Sequence, residues 1–153
     1  MNNLKKEILD QAVKLELNVA DLYLLYKDQF KEDRSFWKKM AQEEKNHAAL
    51  LELAKDFSEK FPKEIIYDNL ENLKSVNQEI EETIEKYKQN IPSKKEAYEY
   101  AFNLENSAYE LHYQKLVTSD SSDISIRTFQ KLNGDDKDHA DRIRKLIDSH
   151  INV

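Results

Sequence analysis

Apolar residues recur along this chain at intervals of three and four, and the recurrence is interrupted in only a few places. That spacing marks amphipathic helices, each with one buried stripe. The first stripe, Ile8, Ala12, Leu15, Val19, Leu22, Tyr23, Tyr26 and Phe30, predicts a helix over about 3–31. Asp33 is placed to cap a second helix over about 34–60, striped by Phe36, Trp37, Met40, Ala41, Ala48, Leu51 and Ala54. It should stop at Phe61-Pro62, because the residue before a proline disfavours helical backbone.

Residues 62–92 are more polar, with a thin stripe of Ile65, Ile66, Leu70, Leu73, Val76, Ile80, Ile84 and Tyr87. They predict one or two amphipathic helices that lie on the outside of a bundle and carry the chain from one end to the other. After Pro92, Ser93-Lys94-Lys95-Glu96 reads as a capping box, the serine accepting from the backbone and the glutamate reaching back. It opens a third main helix over about 93–118, striped by Ala97, Ala101, Leu104, Ala108 and Leu111. The polar run Ser119-Asp120-Ser121-Ser122-Asp123 is a loop that ends in a cap for the last helix, about 123–150, striped by Ile126, Phe129, Leu132, Ile143 and Leu146. Gly134 inside that helix weakens it by about 1 kcal/mol relative to alanine. The outline is all-α: a four-helix bundle with one long crossover connection containing short helical segments, one domain over 1–153.

Composition narrows the class. One Gly and two Pro in 153 residues leave almost none of the punctuation that sheets and hairpins need. With no Cys there is no disulfide, thiolate metal site or cysteine nucleophile, which fits a reducing, cytoplasmic setting. The net charge of −6 and the lack of any block of Lys or Arg argue against nucleic acid as a partner. The first residues, Met1-Asn2-Asn3-Leu4-Lys5-Lys6-Glu7, lack the apolar centre of a signal peptide, and no run reaches the roughly 18 apolar residues of a membrane span.

Four acidic residues fall on the apolar stripes, where solvent cannot reach them. Glu16 lies among Ala12, Val19 and Tyr23; Glu44 among Trp37, Met40, Ala41, Ala48 and Leu51; Glu105 between Ala101 and Ala108; Asp136 among Phe129, Leu132 and Ile143. His47 follows Glu44, and His139 follows Asp136, each one turn on along the same face. An uncompensated buried ion costs several kcal/mol, and no Lys or Arg sits on these stripes near the four positions. Either the carboxylates are protonated and linked by hydrogen bonds, or metal ions bring the missing positive charge; hard oxygens with imidazole suit iron or manganese.

The arrangement also repeats. Trp37–Ala48 aligns without a gap on Phe129–Ala140, matching Glu43-Glu44 to Asp135-Asp136 and His47 to His139, and Leu15-Glu16 matches Leu104-Glu105. A repeated helix pair would set equivalent ligands about a pseudo-twofold axis.

With Glu16, Glu44-Lys45-Asn46-His47, Glu105 and Asp136-Lys137-Asp138-His139 in that order, the chain resembles the ferritin-like di-iron carboxylate proteins, most closely the rubrerythrin branch. The resemblance implies a ferritin-like bundle binding two iron ions, with manganese or mixed metals as an alternative. Glu16, Glu44, His47, Glu105, Asp136 and His139 would be the ligands. Glu44 and Asp136 would bridge or flank the metals, Glu16 and Glu105 would complete the shell, and each histidine would bind one ion. The implied chemistry is that of a non-haem oxidoreductase, reacting with O₂ or hydrogen peroxide as a ferroxidase or peroxidase. Asp136 stands where Glu is usual, one methylene shorter. The cysteine-rich rubredoxin-like module is missing, so electrons would come from a separate donor protein. The alternative from another class is a structural or interaction bundle that keeps the fold without a working site.

Other residues have assigned expectations. Tyr23, seven positions after Glu16, and His112, at the matching position after Glu105, are candidates to hydrogen-bond a ligand carboxylate, with core packing as the alternative for each and direct ligation a further one for His112. Glu43 and Asp135 should point sideways, solvated or bonded to Lys. His150 reads as a surface residue, and Trp37 and Phe129 as packing over one end of the chamber. A homodimer through an exposed helix face is the expectation for assembly. With four of the 30 acidic residues inside, 26 remain outside against 24 basic ones, and two Fe²⁺ would balance the four.

Overall fold

The computed structural model describes residues 3–55, 70–107 and 124–151. Among these the elements are α1 (Asn3–Gln29), a 3₁₀ turn (Lys31–Asp33), α2 (Arg34–Lys55), α3 (Leu70–Gln89), α4 (Lys94–Glu105) and α5 (Ile124–Ile151), with no strand. The fold is an all-α bundle.

α1 and α2 form a tight antiparallel hairpin. The chain leaves α1 through Phe30 N–H to Tyr26 C=O (2.8 Å) and closes the turn with Asp33 N–H to Phe30 C=O (3.0 Å). The 3₁₀ turn then runs straight into α2 at Arg34. The Asp33 carboxylate serves tertiary structure instead of the cap expected of it: its Oδ2 accepts from the Tyr98 hydroxyl at 2.6 Å and faces His150 Nε2 at 2.9 Å.

α3 packs on α1 and runs parallel to it, since Lys74 pairs with Glu7, Asn77 with Gln11, Glu81 with Lys14, and the Tyr87 carbonyl with Gln29. One stripe of α3 is buried: Leu73, Val76, Ile80, Ile84 and Tyr87. This helix carries the chain back along the length of α1, as the crossover of the bundle requires. Asn77 sits within that stripe, accepting from Asn18 Nδ2 (3.1 Å) and donating to the carbonyl (3.0 Å) and side-chain oxygen (2.9 Å) of Gln11. A buried amide is tolerable only when so satisfied, and these bonds fix how α3 lies on α1.

Ser93 caps α4 with extended backbone, its Oγ accepting from Glu96 N–H at 3.1 Å. The sequence reading carried this helix to about 118, whereas it ends at Glu105. Asn106 N–H bonds to Phe102 C=O and Ser107 N–H to Leu104 C=O, tightening the last turn. Asn and Ser have low helix propensity, which fits a C-terminus there although the apolar spacing continues. Residues 108–123, with Ala108, Leu111, His112 and the polar loop, lie outside the described residues, as do 56–69.

α5 packs on α4 and α2. Its last turn is held by His150 against Asp33, which ties it to the α1–α2 turn. One end of the core is aromatic: Tyr23, Tyr26, Trp37 and Tyr98 are all fully buried and in mutual ring contact. No helix among the described residues is long and apolar enough to cross a membrane.

Candidate metal centre

Four helices send polar side chains to one place inside this core. α1 supplies Glu16, α2 supplies Glu44 and His47, α4 supplies Glu105 from its final residue, and α5 supplies Asp136 and His139. None of the six is more than 3% exposed. The paired residues are one turn apart, so each carboxylate and its histidine project from the same helix face.

The two imidazoles stack at a centroid distance of 5.3 Å with 20° between their planes, and both turn Nδ1 inward. Glu44 stands between them, Oε1 at 2.8 Å from His139 Nδ1 and Oε2 at 3.4 Å from His47 Nδ1. His47 Nδ1 also meets Glu16 Oε2 (3.6 Å) and Asp136 Oδ1 (3.8 Å), while His139 Nδ1 meets Glu105 Oε1 (3.5 Å). One ligand atom from each of Glu44, His47, Asp136 and His139 falls within a single 4.8 Å span, and Glu16 and Glu105 border that group. Tyr23 donates to Glu105 Oε1 at 2.5 Å. His112 lies outside the described residues.

The electrostatics are those of a site short of cations. Among the described residues, the only ionic partners of the four carboxylates are the two histidines. Burial pushes Glu16, Glu44 and Asp136 well above the ordinary carboxylate range, and their negative neighbours push them further. Burial also pushes Glu105 up, but His139 and the Tyr23 hydroxyl outweigh it and hold that group below the usual range. Burial, the largest single influence, draws both histidines down, but Glu16 with Asp136 raises His47 and Glu105 with Asp136 raises His139, so both finish above the ordinary value.

Protonated carboxyls share hydrogen bonds between Glu16 and Glu44 and between Glu44 and Glu105, so protonation meets part of the cluster's need. Both oxygens of Asp136 are left without a hydrogen-bond partner. Stranding a buried polar atom costs about 1–3 kcal/mol. Carboxylate oxygens and imidazole nitrogens gathered this closely fit hard or borderline metal cations.

An outer layer repeats the internal symmetry. Asp135 Oδ2 faces His47 Nε2 at 3.3 Å and is held by Lys131 at 3.0 Å. Glu43 Oε2 lies 3.9 Å from His139 Nε2, and Arg142 grips that carboxylate with both ends of its fork, Nη1 to Oε1 at 3.2 Å and Nη2 to Oε2 at 2.5 Å. The acid preceding each motif carboxylate thus stands behind the histidine of the other motif. The expectation that these two acids are solvated or bonded to Lys holds for Asp135 on Lys131, but the place of both behind the histidines is not part of it. The signal was there in the alignment of Glu43-Glu44 on Asp135-Asp136. Trp37 is fully buried beside Tyr23, the side chain of Phe129 is outside the described residues, and His150 is exposed and away from the cluster, on Asp33.

A family model described as Rubrerythrin matches residues 7–147, a span that takes in all six of these side chains. No curated protein and no solved structure matches the chain.

Proposed function

The chain belongs to the rubrerythrin family, and from that footing we propose that the buried chamber holds two iron ions and reacts with hydrogen peroxide or O₂, as a peroxide reductase or ferroxidase. The observation that carries this reading is the buried cluster of carboxylate oxygens and inward Nδ1 nitrogens from four helices, with both Asp136 oxygens unpartnered. His47 and His139 would each hold one ion through Nδ1, and Glu44, placed against both rings, would serve both ions. Glu16 and Asp136 would complete the His47 side and Glu105 the His139 side. Bound iron supplies one electron per ion, so a pair can reduce an O–O bond by two electrons.

The chain's own residues prepare that chemistry. Asp135 and Glu43 stand at the outer nitrogens and favour a proton on Nε2, which leaves the Nδ1 lone pair for a metal. Tyr23 holds Glu105 in one orientation. Trp37, Met40, Leu132 and Ile143, all fully buried, keep water away. Four carboxylates balance the charge of two divalent ions. With no cysteine among these residues, electrons for repeated turnover would come from a donor outside this bundle.

The test is metal content after anaerobic loading with Fe²⁺, followed by peroxide consumption. Wild-type protein should retain about two ions per chain, the stoichiometry of the di-iron bundle. The Glu44→Ala, Asp136→Ala double variant should retain none. The same donors suit manganese, so iron and manganese are assayed together. A wild-type chain that takes up neither metal refutes the proposal.

A further inference from the structure

Three aromatic side chains run from the chamber to the end of the bundle where α1 turns into α2. Tyr23 has its hydroxyl 2.5 Å from Glu105 and its ring 5.0 Å from Trp37. Trp37 in turn lies 5.0 Å from Tyr98. Tyr98 donates to Asp33 at 2.6 Å and has the exposed ring of His150 5.9 Å away. All three aromatic residues are at most 1% exposed, and Trp37 is the chain's single tryptophan. Packing alone does not ask for this, because leucine or phenylalanine fills a core without hydroxyls that need partners.

We propose that Tyr23, Trp37 and Tyr98 form a one-electron relay between the metal chamber and the Asp33–His150 corner, where an external one-electron donor protein delivers its electrons. The inference rests on the reading of the chamber as a site that reduces peroxide. Reducing one H₂O₂ to two waters takes two electrons and two protons, and the six chamber residues are too deeply buried for a donor to touch. In a chain without cysteine, tyrosine and tryptophan are the side chains most readily oxidised by one electron.

The hops balance. When Tyr98 gives an electron toward Trp37, its phenolic proton moves along the 2.6 Å hydrogen bond to Asp33 Oδ2. When the donor returns an electron to Tyr98, the proton comes back. Each cycle leaves the relay as it began; two cycles oxidise the donor by two electrons, and solvent supplies the two protons that enter water. Asp33 suits the acceptor's part. Its partial burial pushes the carboxyl up, but the bonds from Tyr98 and His150 and the nearby Lys94 hold it below the ordinary range, hence ionised. Tyr26 marks the limit of the relay. Its ring is also 5.0 Å from Trp37, but its hydroxyl donates to the Ala97 carbonyl, which cannot accept a proton.

The first test needs no iron. A ruthenium polypyridyl photo-oxidant attached to Lys95→Cys, the only thiol in that chain, is flashed and quenched, and transient absorption follows the single tryptophan. The relay predicts oxidation of Trp37, slowed by an order of magnitude or more in Tyr98→Phe and unchanged in Tyr26→Phe. Asp33→Asn keeps the Tyr98 ring and removes the base, so it should slow the same step, and it decides the matter if Tyr98→Phe does not hold its fold. A Trp37 that is never oxidised, or is oxidised as fast in Tyr98→Phe or Asp33→Asn, overturns the proposal. A second test mixes the iron-loaded protein with peroxide in the absence of a donor and records electron paramagnetic resonance. A protein radical lost in Trp37→Phe and kept in Tyr26→Phe supports the relay. Peroxide consumption with no protein radical, or with one indifferent to Trp37→Phe, overturns it and leaves the chamber chemistry standing.

Discussion

Removing a charge from the chamber should stabilise the metal-free protein, and Glu16→Gln is the cleanest way to see it. Glu16 is 1% exposed, and its carboxyl faces Glu44 and His47 inside the chamber. Burial first, and the neighbouring Glu44 next, raise its carboxyl well above the ordinary 4.5. Between 4.5 and that raised value the folded protein holds a proton that the unfolded chain has released, so stability is intact below 4.5 and is lost as pH rises through the folded value. Keeping the group protonated at pH 7, where the unfolded carboxyl is ionised, costs at most about 3 kcal/mol. Glutamine avoids that cost but buries an amide with imperfect partners, worth about 1–2 kcal/mol in the other direction. The net expectation is a gain of about 1–2 kcal/mol at pH 7, or roughly 2–8 °C in Tm for a chain of this size. The assay is thermal unfolding of chelator-treated protein by circular dichroism from pH 4.5 to 7, with and without added iron. The gain of the variant over wild type should shrink to nothing at the acid end. With iron the order should reverse, because the variant has lost a ligand. Metal-free Glu16→Gln less stable than wild type at pH 7, or a difference that does not vary with pH, would refute the reasoning.

Three further outcomes are expected. Gly134→Ala should raise stability by about 1 kcal/mol, since a Cβ there meets nothing within 4 Å and the residue lies inside α5; a urea midpoint no higher than wild type would count against it. Asp135→Asn should weaken iron binding by about 10–100-fold while leaving the helix content unchanged, because the carboxylate behind His47 is replaced by a weaker partner; metal titration reads this directly. Asn77→Ala should cost about 1–2 kcal/mol by removing both bonds to Gln11 and leaving the Asn18 amide only its longer bond to Glu81, and should loosen α3 first, visible as faster amide exchange in that helix than in α2.

How far the molecule could be read from its sequence depends on what kind of fact is asked for. The stripes identify buried faces, and so Glu16, Glu44, Glu105 and Asp136 stand out without a structure, as does the crossover role of the segment that includes α3. Periodicity reports which face of a helix is covered; it does not report how two helices slide or rotate against each other. The outer carboxylates show the difference. Glu43 and Asp135 lie just off the stripe, and whether they meet solvent or a histidine depends on the offset of α2 against α5. The same holds for Asp33, whose local sequence looks like a cap but whose partners, Tyr98 and His150, lie 65 and 117 residues away. The end of α4 is hidden for another reason: Ala108 and Leu111 continue the apolar spacing, while the helix closes at the backbone of Asn106 and Ser107, which periodicity does not report.

The helix order has a consequence for how the protein assembles. Glu16, Glu44 and His47 sit on one local hairpin, which can form as soon as the first third of the chain is available. The contacts that complete the cluster span 82 residues from Tyr23 to Glu105 and 95 from Glu44 to His139, so they wait for the slowest loop closures. Until α5 docks, the chain holds half a cluster, with its acids still partly hydrated and no reason to strain. Metal that needs both halves therefore stabilises contacts formed after the rate-limiting step. It should leave the refolding rate nearly unchanged and slow unfolding instead, making iron a lock on the finished bundle and not a template for building it.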